Sequence, residues 1–141
     1  MSGEKPFLAI CNPAAGGGRC GQQAGPVIDR LRAAGIPIDV QMTAAAGQAT
    51  EIARGGWRSG YRRFLAMGGD GTSFEVVNGL FPEAEAGPEP PVLGFLPLGT
   101  GNSFLRDFSP QAADYSVDSI LQGRERSCDV LRLRHKAGDT F

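Results

Sequence analysis

Several familiar chemistries lack their residues in this sequence. Three cysteines, Cys11, Cys20 and Cys128, stand among 141 residues without CxxC spacing. That argues against a zinc site or a disulfide framework and for a reducing compartment. The one histidine, His135, has no partners placed for a Ser-His-Asp arrangement and reads as a surface or strand-edge residue. No apolar run reaches the ~18 residues of a membrane span, and the start shows no signal-peptide pattern, so a cytoplasmic location is expected. Neither charge sign dominates: 14 Lys and Arg face 15 Asp and Glu, for a net charge of −1. The cations are scattered, so no nucleic-acid surface is indicated. The Gly-Lys-Ser/Thr of a P-loop and the HRD and DFG of protein kinases occur nowhere.

What is abundant is glycine, 21 of 141 residues, roughly twice ordinary usage. The glycines cluster at turns, where a missing Cβ lets backbone approach a ligand. A length of 141 residues with 41% hydrophobic and 21% charged content fits one globular domain with a substantial core.

Short apolar runs alternate with helical patterns. Phe7–Cys11, Ile36–Met42, Phe64–Met67 and Val92–Leu96 read as strands. Val27, Ile28, Leu31 and Ala34 share one helix face, stopped by Gly35. A weaker helix starts at Ala49 and ends within 55–60. Thr72–Leu80 is a helix, 81–91 a loop with four prolines, 103–108 a helical turn or two, Ser116–Gln122 a short helix and Cys128–His135 a last strand. Such alternation predicts βαβ units in an α/β, three-layer, Rossmann-like parallel sheet.

In a parallel sheet the turns after the strands lie on one carboxyl edge, where ligands of open α/β sheets bind. Strand one runs into Asn12-Pro13-Ala14-Ala15-Gly16-Gly17-Gly18. Strand two ends at Thr43, with Gly47 four residues on. Strand three runs into Gly68-Gly69-Asp70-Gly71-Thr72, and strand four into Pro97-Leu98-Gly99-Thr100-Gly101-Asn102. Glycine turns feeding helix N-termini suit phosphate. Thr72 and Ser103, each at a helix start, can cap it or offer a hydroxyl to a phosphate oxygen. Asp70 stands out, since a carboxylate beside phosphates is repelled unless something offsets it. It can hold Mg²⁺ together with the phosphates, accept a proton from an attacking hydroxyl, or simply shape a turn. Glu75 either faces the same site or favours the helix start. Asn78 reads as an exposed helix residue or a backbone hydrogen bonder.

Gly16, Gly18 and Gly21, with Asp39 further on, satisfy the dinucleotide fingerprint G-x-G-x-x-G. Four residues separate the strand from the first of these glycines, however, and Asp39 falls inside strand two rather than at its tip. That alternative, a dinucleotide-binding oxidoreductase domain, also leaves the Gly-Asp-Gly and Gly-Thr-Gly turns without a role.

The three motifs Asn12-Pro13…Gly16-x-Gly18-Arg19, Gly68-Gly69-Asp70-Gly71-Thr72-x-x-Glu75-Val76-Val77-Asn78-Gly79 and Pro97-Leu98-Gly99-Thr100-Gly101-Asn102-x-Phe104 together resemble the catalytic domain of diacylglycerol kinases. Sphingosine kinases, ceramide kinases and bacterial lipid kinases share the pattern, and NAD kinases share its Gly-Gly-Asp-Gly core, which makes an NAD kinase-like enzyme a further alternative. The resemblance implies an NAD kinase/diacylglycerol kinase-like fold and ATP-dependent, Mg²⁺-assisted transfer of the γ-phosphate to a lipid hydroxyl. Carried over by position, it places Asn12, Pro13, Gly16, Thr43, Gly69, Asp70, Gly71, Thr72, Glu75, Thr100, Gly101 and Asn102 at ATP, with Asp70 as catalytic and metal-binding carboxylate. Phe74 and Ser103 depart from the Asn and Asp found in many relatives. The implied partners are ATP, a diacylglycerol- or sphingoid-like lipid, a transient membrane surface at which the protein is peripheral, and, through an exposed sheet edge, a second copy of the chain. The resemblance further implies a nucleotide-binding domain over 1–126. Residues 127–141 would begin a β-rich lipid-binding domain that is cut short, leaving this chain a weak ATP binder with poor turnover alone.

Overall fold

The computed structural model describes residues 4–98 and 112–141. Four parallel strands, β1 (Phe7–Cys11), β2 (Ile38–Met42), β3 (Arg63–Gly68) and β4 (Val92–Pro97), form one sheet in the order β2-β1-β3-β4. Helices α1 (Arg19–Ala33), α2 (Gln48–Arg58) and α3 (Asp70–Leu80) connect them in turn, and α4 (Ala112–Leu121) follows β4. The expected three-layer parallel architecture is the one observed.

The central strands explain why their sequences read as unbroken apolar runs. Side chains alternate between faces, and a parallel sheet covered on both faces buries both sets. Ala9 and Cys11 of β1, with Leu65 and Met67 of β3, pack with Cys20, Ala24, Ile28 and Leu31 of α1 and Val117 of α4. Leu8, Ile10, Phe64 and Ala66 face the other way, onto Ala49, Ala53 and Trp57 of α2 and Val76 and Leu80 of α3. Helices α1 and α4 therefore cover one face, and α2 and α3 the other. β2, at an edge, keeps Asp39 and Gln41 exposed.

Several elements differ from the sequence reading. α1 starts eight residues before Val27, inside the stretch expected as a loop, because the small buried residues Cys20 and Ala24 extend the face of Ile28 and Leu31. The loop after α3 contains a single 3₁₀ turn, Glu83–Ala86. The expected last strand from Cys128 to His135 shrinks to β5 (Leu133–His135), paired antiparallel with β6 (Gly138–Thr140) apart from the main sheet. A strand requires a partner, and the partner here is three residues long. Leu131 and Leu133 accordingly stay exposed. The helical turns expected at 103–108 lie outside the described residues.

Candidate functional site

The strand order places the site. From β1 the chain turns toward β2 through α1; from the neighbouring β3 it turns the opposite way through α3. That divergence is the topological switch point of an open α/β sheet, where ligands bind. The turns meet there at hydrogen-bond distance. The Asn12 amide donates to the Met67 carbonyl at 3.0 Å, and the Thr43 amide to the Cys11 carbonyl at 2.8 Å. Gly68 pairs with Pro97 at the head of the next turn. Asn12, Thr43, Gly69 and Leu98 thus leave the sheet side by side. Thr100, Gly101 and Asn102, with Ser103, lie outside the described residues.

The first turn is built to hold its own shape. Gly16, Gly17 and Gly18 have φ of 66°, 70° and 95°, a left-handed run that side chains oppose. Asn12 Oδ1 accepts the Ala14 amide at 3.2 Å. The Pro13 carbonyl takes the Gly21 amide at 3.0 Å, and the Ala15 carbonyl takes the Cys20 amide at 3.1 Å. The Ala15 and Gly18 amides donate to the Asn12 and Ala14 carbonyls, each at 3.1 Å, so the turn binds three of its own amides. Among the described residues, the Gly16 and Gly17 amides are the ones in it that donate to nothing.

The second turn is a single residue, Gly69, between β3 and α3. A Cβ on Gly68 would sit 2.4 Å from Thr72 Oγ1, so the tight entry depends on its absence. Asp70, not Thr72, begins α3, and its side chain is exposed at the helix start. Gly69 has no side chain to cap the helix, and first-turn amides have no acceptor within their own helix. Thr72 is 4% exposed and packs beneath Gly68. Its hydroxyl is therefore a packing group, and its amide belongs to the first turn of α3.

Glu75 joins the third turn to the second. Its Oε1 accepts the Gly47 amide at 2.7 Å, at the N-terminus of α2. Of its two expected roles the structure shows a helix-start role, at the neighbouring helix rather than its own. The α2–α3 pair is locked further by Thr50 Oγ1 donating to the Glu75 carbonyl at 2.9 Å and Arg54 donating to the Asn78 carbonyl at 3.1 Å. A Cβ on Gly79 would lie 2.3 Å from the Thr50 carbonyl oxygen, so glycine lets the helices touch. Thr50, Arg54 and the Gly47 amide were not singled out from sequence. The one available signal was Gly47, four residues past β2. Asn78 is the backbone hydrogen bonder expected: its amide group donates to the Phe74 and Phe141 carbonyls and accepts the Phe141 amide, each at 2.8 Å. Arg132 stacks on the Phe141 ring and pairs with Glu85, which holds the C-terminal hairpin segment against this side of the domain.

Asp39, the acidic residue of the dinucleotide fingerprint, is second in β2 and accepts from the Tyr61 hydroxyl. That bond raises the Tyr61 pKa. It holds Asp39 toward the amino end of the strand, away from the glycine turns. Gly21 lies within α1, against Pro13. An open groove of about 440 Å³ between Pro6, Arg32 and Gly35–Asp39 also lies at that opposite edge. Its arginine is already engaged with the Ile38 carbonyl at 2.7 Å.

Among the described residues, no three His, Cys, Asp or Glu side chains converge as a metal cage. Mg²⁺ ordinarily needs only one or two carboxylates when it shares phosphate oxygens. The exposed Asp70 beside helix-start amides fits that mode and not a protein-only site. No helix among the described residues is long and apolar enough to cross a membrane.

A doubly wound parallel sheet with glycine turns and helix N-termini gathered at its switch point defines an α/β domain of the Rossmann-like kind. The profile of the diacylglycerol kinase catalytic domain matches residues 6–133, and the chain belongs to that family. It is 32% identical over 123 residues to the diacylglycerol kinase of Bacillus subtilis (strain 168), covering 86% of this chain and 39% of the relative. It is 30% identical over 128 residues to a diacylglycerol kinase of Staphylococcus aureus (strain MRSA252), covering 90% of this chain and 39% of that one. The crystal structure of a diacylglycerol kinase from Bacillus anthracis str. Sterne superposes with a TM-score of 0.69 at 30% identity, over 88% of this chain and 44% of that chain. The chain therefore spans about two-fifths of the length of the relatives it matches.

Proposed function

We propose that this chain is the nucleotide-binding half of an ATP-dependent lipid kinase, which transfers the γ-phosphate of ATP to a lipid hydroxyl of diacylglycerol or sphingoid type. What carries the reading is the meeting of the β1, β2 and β3 turns at one switch point, with Asp70 at the head of α3. The Gly16, Gly17, Gly71 and Thr72 amides receive phosphate oxygens. Asn12, Pro13 and Thr43 shape the floor, while Glu75 holds the second and third turns together. Gly69 admits the phosphates closely, and Thr100, Gly101 and Asn102 also contact the nucleotide.

Phosphoryl transfer depends on positioning and charge neutralisation more than on covalent chemistry. Asp70 stands where it can accept the proton of the lipid hydroxyl or hold Mg²⁺ against the phosphates. When bound, Mg²⁺ supplies charge neutralisation on the transferring group. The remainder of a relative-length protein would close the cleft and bind the lipid, with residues 127–141 as its first strands. The chain alone then binds ATP weakly and turns over poorly. The whole protein works in the cytoplasm at a membrane surface, and pairing through edge strand β2 or β4 would give a homodimer.

Asp70→Asn in a relative-length protein tests the reading by assay of lipid phosphorylation. Abolished transfer with unchanged thermal unfolding supports it, and wild-type turnover contradicts it. If Asp70 is the proton acceptor, kcat falls with the Mg²⁺ requirement unchanged; if it holds the metal, the Mg²⁺ requirement rises.

A further inference from the structure

Two thiols bracket the first turn. Cys11 is the last residue of β1, immediately before Asn12, and Cys20 is the second residue of α1. Their sulfurs lie 3.6 Å apart, and both residues are fully buried. Everything between them is the glycine turn and the first residue of α1. Neither thiol has a part in the chemistry above, and a core needs no sulfur pair at this spacing.

We propose that Cys11 and Cys20 are an oxidisable dithiol, closed to a disulfide by a hydroperoxide, and that closure reshapes the turn between them and lowers nucleotide affinity. The affinity part rests on the nucleotide reading above; the disulfide part does not.

A disulfide brings the sulfurs to about 2.05 Å, so the pair must close by roughly 1.5 Å from 3.6 Å. That movement draws the end of β1 toward the first turn of α1. Both anchor the phosphate turn, and the Cys11 carbonyl also holds the Thr43 amide. The division of labour follows from the bond the thiols share. It holds the Cys11 thiol below its ordinary range and, with burial, pushes Cys20 well above it. Cys11 thiolate attacks the peroxide O–O bond, giving a sulfenic acid and hydroxide, and hydroxide takes up the proton that Cys11 released. The Cys20 sulfur then attacks the sulfenic sulfur, and the hydroxyl leaves with the Cys20 proton as water. Two thiols are oxidised, one hydroperoxide is reduced, and for hydrogen peroxide two waters form. Access to the buried pair comes from local opening of the left-handed glycine run, so bound nucleotide slows the reaction.

The test treats the reduced, folded protein with hydrogen peroxide, followed by alkylation and non-reducing peptide mass spectrometry. A Cys11–Cys20 peptide link lighter by two hydrogens is expected, formed more slowly with ATP present. ATP affinity should fall on the order of tenfold (~1.4 kcal/mol) and recover with dithiothreitol. Cys128, exposed in the C-terminal segment, is the internal control: Cys128→Ser keeps the link, and Cys20→Ala loses both link and sensitivity. Should Cys20→Ala fail to fold, the wild-type peptide map decides alone. Oxidation confined to Cys128 overturns the proposal. A complete link with unchanged ATP affinity overturns the control of the turn. If the reduced protein binds no ATP at all, the nucleotide reading fails while the link still judges the dithiol.

Discussion

The two turns at the switch point solve one problem in opposite ways. Between β1 and α1 the chain spends seven residues, three of them left-handed glycines, and binds the Ala14, Ala15 and Gly18 amides internally. Between β3 and α3 it spends one residue and leaves the helix start to point its amides outward, with a carboxylate at the first position. The first is a preformed rim whose shape comes from its own hydrogen bonds. The second is an electrostatic terminus whose shape comes from strand and helix packing. Substitutions in the first should therefore alter loop conformation, and those in the second should alter either charge or the fold itself.

The largest expected effect is on chemistry at the second turn. Asp70→Asn in a relative-length protein should cut lipid phosphorylation by about 10²–10⁴-fold, the usual range for a general base, with stability unchanged within about 0.5 kcal/mol. Next is steric disruption of the same region. Gly68→Ala and Gly79→Ala place a Cβ 2.4 Å from Thr72 Oγ1 and 2.3 Å from the Thr50 carbonyl oxygen. Each should cost ~1–3 kcal/mol or more in denaturant unfolding. The first turn should respond more gently. A Cβ on Gly17 meets nothing within 4 Å, yet φ is 70°, so Gly17→Ala should cost ~1–2 kcal/mol by strain alone and weaken ATP binding measured by calorimetry. Glu75→Gln removes the charge on the Gly47 amide bond and should lower stability by about 0.5–1 kcal/mol.

The smallest effect is a control far from both turns. Arg58 at the end of α2 pairs with Glu83 and holds its carboxyl below the ordinary range. A depressed carboxylate contributes stability above its unfolded pKa and loses it as pH falls through its folded value. Arg58→Gln should therefore differ slightly from wild type near neutral pH, and the difference should begin to shrink below the ordinary Glu value of about 4.3 and vanish once Glu83 is protonated in the folded state.

Much of this comparison was legible in the residues. The unbroken apolar character of Phe7–Cys11 and Phe64–Met67 marked buried parallel strands, and parallel strands put every turn that follows a strand on one edge. The start of α1 was hidden because Cys20 and Ala24 are small, so their burial left no strong apolar signal, while the small residues of 14–21 read as a loop. The partner of Glu75 was hidden because it is a backbone amide 28 positions away, and its pairing exists only once α2 and α3 pack. The shortening of the last strand was invisible for a related reason: Val130, Leu131 and Leu133 have strand character, but a strand is decided by its neighbour. The proximity of Cys11 and Cys20 follows from the same helix extension that the glycine-rich stretch concealed.

The central claim is that the two turns converge on one ligand, and amide chemical-shift mapping during an ATP titration tests it most directly. The account predicts the largest shifts at Gly16, Gly17, Gly71 and Thr72 together, with the Gly47 amide following through Glu75. Shifts concentrated instead at Arg32 and Gly35–Asp39, on the opposite edge of the sheet, would contradict it.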